Sequence, residues 1–290
     1  EKIGRHLGVD RVPLPRKDWD ALRASFVALF RQAESPSPDA PTDRHHALHD
    51  RQGLPADPES MSLLNLTSDG LPNILVVLYA AIAKARAPMT AKELIEAIAP
   101  ESVVKDARIA RTTLNRWTDL GLFKEDPDTK GLSLHRPPPT DMKSEADTVR
   151  AVRIEARHVA LSEANNGDLW AREEARAADL TRSLAWLMAL DVYRQGAENL
   201  FSLANDHIQG TGLTLMQNQE RVVGLKLGGY FLGFVRHPKA IDIDPTVAIS
   251  EVLPDCIGPG EEMPARDLIE RLAHALPVID GGRYRQAVLD

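Results

Sequence analysis

Residues 90–135 carry the pattern that most constrains how this chain folds. Thr90 and Glu93 have the spacing of a helix-capping box, and apolar residues at helical spacing follow until a proline ends the helix. A second, basic helix is predicted over 106–120, because Gly121 supplies a C-terminal stop. Two short apolar segments then flank the polar turn Asp-Pro-Asp-Thr-Lys-Gly, which is typical of a β-hairpin. Helix, turn, basic helix and hairpin in this order predict a winged helix-turn-helix.

The neighbouring residues set the limits of this predicted domain. Apolar residues between Leu71 and Ile82 recur every three or four positions, so a core-facing helix is expected to precede the capping box. Three prolines at 137–139 form a stiff break, which limits the winged-helix domain to 61–136. A helical connector is predicted over 137–217. It is expected to hold two helices and an irregular segment, over 143–164, 168–190 and 191–217.

The C-terminal residues 218–290 repeat the same order of elements in weaker form. The predicted elements are a helix over 218–235, a strand over 240–243, helices from Asp244 and from Pro264, and a hairpin around 280–282. The helix from Pro264 is expected to direct four apolar residues inward, namely Leu268, Ile269, Leu272 and Leu276. Its two arginines are balanced by two acids, which favours packing over nucleic-acid contact. The expected fold class is therefore mostly α, with two winged helix-turn-helix copies and a helical connector.

Residues 1–60 have a different composition from the rest of the chain. One amphipathic helix is predicted over 17–33, and the proline-rich residues 34–60 are typical of a linker. Met61 opens a more globular composition, so we expect the functional protein to start there and 1–60 to be an extension or a fusion.

Composition bounds the class of protein. A chain of 290 residues that is 43% hydrophobic can bury a sizeable core in about two domains. The single cysteine, Cys256, excludes an internal disulfide and fits a reducing, cytoplasmic location. No apolar run reaches the roughly 18 residues that span a bilayer.

Patterns of enzyme and metal sites are weak in this sequence. His45, His46 and His49 have a spacing that a metal could use, but they lie between prolines and are interpreted as adventitious. The glycines at 224–229 lack the order of a phosphate-binding loop, and Cys256 has no evident catalytic partner. We therefore expect no metal, no cofactor and no catalytic residues. An enzyme whose site is assembled from distant residues stays open as an alternative.

The predicted second helix of the motif supplies the candidate site. Four residues fall on its inner face, namely Ile109, Thr113, Trp117 and Leu120. Five polar residues fall toward the outside, namely Arg108, Arg111, Thr112, Asn115 and Arg116. Arginine and asparagine can make paired hydrogen bonds to guanine and adenine, and Lys105 and Lys130 could contact phosphates on either side. The alternatives are that these charges only solubilise an exposed helix, and that Trp117 stacks on a base instead of joining the core.

Charge distribution fits modest, salt-sensitive binding of double-stranded DNA. The chain carries a net charge of −7, yet residues 71–136 hold ten Lys and Arg against eight Asp and Glu. Within 105–116 the balance is +3. A small basic face on an acidic body suits directed phosphate contact.

Several sequence segments resemble those of a known family. They are MSLLNLTSDGLPNILVVLY at 61–79, TRSLAWLMALD at 181–191, YFLGF and then IDPT within 230–246, and LPVIDGGRYR at 276–285. Residues 61–290 thereby resemble the DpdG-type proteins of bacterial clusters that insert deazapurines into DNA and restrict foreign DNA. The resemblance implies an accessory, DNA-associated component of a modification or antiviral defence system, with no catalytic residues to carry over. The leading hypothesis is a non-enzymatic DNA-binding accessory or regulatory protein. The alternative is a scaffold whose winged helices dock enzyme partners.

Overall fold

The computed structural model describes seven stretches of the chain. They are residues 63–64, 72–104, 106–140, 142–170, 176–191, 199–237 and 242–289. Within these stretches the protein is mostly helical, with 10 α-helices and one small three-stranded antiparallel sheet. The expected mostly-α class is therefore confirmed. The helix expected over 17–33 and the linker over 34–60 lie outside the described residues.

The first half of the described chain follows the predicted order of elements. Its elements are α1 (Pro72–Lys84), β1 (Met89–Thr90), α2 (Ala91–Ile98), α3 (Arg108–Asp119), β2 (Phe123–Glu125) and β3 (Gly131–Leu134). The capping box at the start of α2 is present. The Glu93 N–H donates to Thr90 Oγ1 at 3.3 Å, and the Thr90 N–H donates to Glu93 Oε2 at 2.9 Å. These bonds satisfy backbone donors that a helix start leaves without partners.

The sheet has the order β1-β3-β2, with β3 in the middle. Met89 lies opposite Leu132, and Phe123 lies opposite Leu134, so the β2–β3 hairpin is joined to the start of α2 through β1. Close packing fixes this junction. A Cβ added to Gly131 would lie 2.7 Å from the Pro88 Cβ, a distance at which one of the two residues must shift.

The second half of the described chain is helical. Its elements are α4 (Glu145–Ala160), a 3₁₀ turn (Glu163–Asn165), α5 (Ala178–Leu187), α6 (Leu200–His207), α7 (Glu220–Phe231), α8 (Thr246–Cys256), α9 (Ala265–Ala275) and α10 (Arg283–Leu289). The helix α4 matches the first helix predicted for the connector, and α5 matches part of the second. The segment expected to be irregular, 191–217, contains α6, which Asn199 caps by accepting from the Ser202 N–H at 3.1 Å.

One hydrophobic cluster connects the two halves. It includes α1 residues such as Leu75 and Leu78, α3 residues such as Trp117, and buried residues of α5 and α7. The helix α1 packs against α2, α3, α4 and β3. The core is thus continuous across the boundary expected at residues 137–139.

Two buried polar clusters accompany this core. In the first, Glu251 of α8 accepts from Arg153 and from Arg157 of α4, and the Arg157 side chain also donates to the Leu232 carbonyl at 3.0 Å. In the second, Asp179 of α5 accepts from the Arg221 guanidinium and from the Leu64 N–H, each at 3.1 Å. Buried charges need such partners because desolvation is costly.

The predicted hairpin at 277–284 is wrong. Turns over 276–281 lead directly into α10, and the Pro277 carbonyl accepts from the N–H groups of Tyr284 and Arg285 at 3.0 and 3.2 Å. Gly282 packs so tightly that an added Cβ would lie 2.4 Å from the Pro277 carbonyl oxygen. The strand predicted over 240–243 is limited, where the structure describes it, to an isolated bridge between Val235 and Ile243. The described part of 218–290 therefore has helices without a wing.

The inward direction predicted for Ile269 is also wrong. Leu276 is fully buried and Ala273 is 5% exposed, but Ile269 is 56% exposed. Leu268 and Leu272 are half-buried. The apolar side of α9 is covered only toward its C-terminal end.

Candidate nucleic-acid interface

The helix α3 is held by its apolar face. Ala110, Leu114 and Trp117 are 0%, 2% and 3% exposed, and the helix packs against α1, α2 and β2. The predicted inner face is confirmed for Thr113, Trp117 and Leu120, which are all buried, while Ile109 is half-buried. Trp117 is therefore a core residue.

The opposite face of α3 presents four polar residues at the spacing i, i+3, i+4 and i+7. They are Arg108, Arg111, Thr112 and Asn115. Three of them are exposed, and Thr112 is half-buried with its hydroxyl donating to the Arg108 carbonyl at 3.0 Å. Helical spacing of this kind places the four on one side of the cylinder. Two guanidinium groups and one amide thus face outward together.

Arg116 does not belong to this exposed face. It is 7% exposed, so the prediction that its side chain points outward is wrong. Arg116 is three residues after the fully buried Thr113 and next to Trp117, which places it at the edge of the buried face. A long side chain at such an edge packs its methylene groups against the core.

The two arginines of the exposed face differ in their partners. The Asp106 side chain accepts from the Arg108 N–H at 2.7 Å and lies 3.8 Å from the Arg108 Nε. Both side chains are exposed, so this ion pair is weak. Arg111 has no ion pair among the residues that the structure places. Lys105, the remaining candidate at this end of α3, lies outside the described residues.

The turn between β2 and β3 is built around Asp126. Its Oδ1 accepts from the Asp128 N–H at 3.1 Å, the Thr129 N–H at 2.7 Å and the Thr129 hydroxyl at 2.8 Å. These bonds stabilise the carboxylate, and the Thr129 backbone bond is the main cause that lowers the pKa of Asp126. Lys130 follows with a φ of 57°, a left-handed conformation that few residues other than glycine adopt.

Ion pairs at this turn reduce its positive character. The Lys130 ammonium lies 3.3 Å from Glu125, and both side chains are largely exposed. The pairings Arg108–Asp106 and Lys130–Glu125 were missed from the sequence, although each joins residues close along the chain. Lys124 on β2 is exposed and is a further basic residue that the sequence analysis did not single out. The candidate interface is accordingly a narrow basic strip on α3 beside a turn of mixed charge.

Metal-binding and thiol chemistry have little basis in the described part of the chain. No group of three or more His, Cys, Asp or Glu there could hold a metal ion. His45, His46 and His49 lie outside it. Cys256 is buried, and burial raises the pKa of its thiol. Among the described helices, none is long and apolar enough to cross a bilayer.

The fold and this strip define a mostly helical protein with a small antiparallel sheet and an exposed polar helix face. Residues 61–290 match the DpdG-like family, so the chain belongs to that family. The resemblance to DpdG-type proteins, inferred from short sequence segments, is thereby confirmed. Membership suggests a role in the deazapurine DNA modification system. No curated protein and no solved structure matches the chain.

Proposed function

We propose that residues 61–136 form a winged helix-turn-helix that binds duplex DNA as a non-enzymatic accessory of the modification system. The observation that carries the proposal is the outward face of α3, where Arg108, Arg111, Thr112 and Asn115 lie together. The order of α1, β1, α2, α3, β2 and β3 supports it, because a winged helix uses these elements in this order.

Each residue of the face has a chemical role in this proposal. Arg108 and Arg111 neutralise phosphates or donate to guanine, and Asn115 can bond an adenine edge. The Thr112 hydroxyl already donates a hydrogen bond to the helix backbone. Thr112 therefore contributes to the shape of the contact surface more than to hydrogen bonds with DNA. Arg116 supports the helix from its buried position.

The proposed binding is weak and depends on salt. Between residues 72 and 136 the described chain carries nine Lys and Arg and eight Asp and Glu, so its surface attracts DNA only locally. Each phosphate contact releases counterions, and affinity therefore falls steeply as salt rises.

The test is an anisotropy titration of the full chain with labelled duplex DNA at about 50 and 200 mM salt. Replacing Arg108 and Arg111 together with alanine is expected to weaken binding at low salt at least about tenfold and to make the log–log salt slope shallower by about two. Asn115→Ala is the matched neutral change. It should reduce discrimination between duplex sequences and leave the slope unchanged, because asparagine carries no charge.

Arg266→Ala is the charge control, since Arg266 is exposed on α9 far along the chain from the proposed face. It should leave both affinity and slope unchanged. Absence of binding by the unmodified protein at low salt would refute the proposal. The docking of protein partners by the same module, which its nearly balanced charge also allows, would then be the better explanation.

A further inference from the structure

A cleft of about 660 Å³ lies between the C-terminal end of α4 and α9. One wall is formed by α4 and the 3₁₀ turn, with Leu161 and Glu163. The other is formed by α9, with Ile269, Glu270 and Ala273. Its size falls within the range of cavities that take a ligand or an anchoring side chain. It is separate from the exposed face of α3.

The helix α9 is incompletely covered along this cleft. Its apolar residues have an amphipathic spacing, yet Ala273 is the buried one among its eleven residues. Ile269, at the lip, is 56% exposed. Leu268 and Leu272 of α9 are half-buried, so Ile269 is the large apolar side chain that this helix leaves exposed beside the cavity. Together with the cavity it offers an apolar contact to a partner.

Charge at the cleft selects the kind of partner. Glu163 and Glu270 stand on opposite walls, and Asp280 at the neighbouring turn has a side chain that is 96% exposed. The Arg283 guanidinium lies 3.0 Å from Glu163, but the Glu163 side chain remains 82% exposed. Arg285 lies 4.0 Å from Asp280, so three carboxylates face two guanidinium groups at the mouth. The excess of one carboxylate leaves the mouth weakly acidic, and His158 and His274 also line it. A cation placed between the walls would meet a carboxylate from each side.

We propose that this cleft docks an amphipathic helix of a protein partner, with apolar side chains against Leu161, Ile269 and Ala273 and a lysine or arginine between Glu163 and Glu270. Short helices of this kind bind grooves through apolar anchors one turn apart. The weakly acidic mouth disfavours a partner helix whose polar flank is acidic. The inference does not depend on DNA binding by α3.

The experiment uses the full chain and a synthetic, fluorescein-labelled helix of leucines at i, i+3, i+4 and i+7 flanked by lysines. A second peptide with every lysine replaced by glutamate tests the charge. We expect saturable binding of the lysine peptide and at least about tenfold weaker binding of the glutamate peptide. Ile269→Glu and Glu270→Lys should each weaken binding of the lysine peptide by about tenfold. Both residues are exposed, so the protein should still fold, which circular dichroism checks.

Tyr230→Glu is the matched control, because Tyr230 is a similarly exposed apolar residue on α7, at 52%. It should leave peptide binding unchanged. The proposal is overturned if the lysine peptide does not bind, if the glutamate peptide binds equally well, or if Ile269→Glu has no effect. Sedimentation of the protein alone tests whether the cleft is filled by a second copy of the chain. A dimer that Ile269→Glu converts to a monomer would show that a second copy of the chain fills the cleft, and would also overturn the proposal.

Discussion

Trp117 separates the two faces of α3, because its indole lies in the core while the residues two positions before and after it are exposed. Replacing Trp117 with alanine removes a large buried side chain and leaves a cavity that the surrounding helices cannot fully close. We expect the free energy of unfolding to fall by about 3–5 kcal/mol. Chemical denaturation followed by far-UV circular dichroism measures the loss. A stable variant that no longer binds DNA would instead make Trp117 part of the interface.

His158 should make the stability of the folded protein depend on pH. Its Nε2 lies 2.6 Å from the Arg136 Nη2 and must accept this bond, since arginine only donates. Partial burial, and then the positive charge of Arg136, lowers the pKa of His158. The unfolded chain therefore binds a proton more readily than the folded protein once the pH drops through about 6.5, and stability falls with it.

The measurement compares thermal melts of the parent protein and of His158→Gln between about pH 7.5 and 5.5. Glutamine keeps an acceptor but does not titrate in this range. We expect the parent protein to lose more stability on acidification than the variant does. Equal losses would show that protonation of His158 has no part in it. The comparison with the variant matters because the chain has 9 histidines.

Sequence periodicity placed some residues wrongly, and these residues lie at the edges of helix faces. Arg116 was assigned to the outside of α3 from helical geometry, but the core extends far enough around the helix to cover it. Ile269 was assigned to the inside of α9 with the other apolar residues of that helix, but no described element covers it. Helical spacing gives the direction of a face, whereas its width depends on neighbours distant in sequence.

At the scale of elements, local signals predicted the first half well and the C-terminal half less well. The capping box at Thr90, the stop at Gly121 and the polar turn at 126–130 are each satisfied by residues within a few positions. The glycines at 281 and 282 carried an equally strong turn signal, but a turn into a helix uses the same residues as a hairpin. The packing of α10 against α5 involves residues about a hundred positions apart, and short-range patterns do not contain it.

The hairpin turn at 126–130 provides a prediction at this scale. Since its hydrogen bonds lower the pKa of Asp126, the carboxylate should stabilise the turn at and above the ordinary aspartate pKa. This stabilisation should be lost only as the pH falls through the lowered value. The Thr129 amide resonance, followed by NMR during acidification, should therefore titrate below the ordinary aspartate range. In Asp126→Ala the same amide should exchange faster with solvent, and an unchanged exchange rate would contradict the assignment.

At the scale of the whole molecule, buried polar contacts join elements that the sequence alone had placed in separate domains. The Asn165 amide donates to the carbonyls of Leu120, at the end of α3, and of Val159 in α4, at 2.8 and 2.9 Å. The hydrophobic cluster runs through the same region. The proposed DNA-binding module is thus attached to the connector by its core and by hydrogen bonds. Asparagine at a helix end gives no sequence signal for such a long-range bond.

Glu251 tests a second junction, which joins α8 of the C-terminal residues to α4 of the predicted connector. Its side chain is 6% exposed and receives hydrogen bonds from Arg153 and Arg157, of which Arg157 is 3% exposed. Glu251→Ala would leave the Arg157 charge buried without its carboxylate, a change that destabilises proteins by about 3–5 kcal/mol. Combining Glu251→Leu with Arg157→Met removes the two most buried charges and leaves Arg153, whose side chain is 22% exposed and can be hydrated. This double change should restore much of the lost stability, because burying apolar groups avoids the desolvation penalty. Denaturation monitored by tryptophan fluorescence and by circular dichroism checks both variants.

The two probes should report the same midpoint, since one core connects α3 to α5 and α7. A loss below about 1 kcal/mol in Glu251→Ala would mean that solvent reaches Arg157 when α8 loosens. Two different midpoints would mean that parts of the molecule unfold independently.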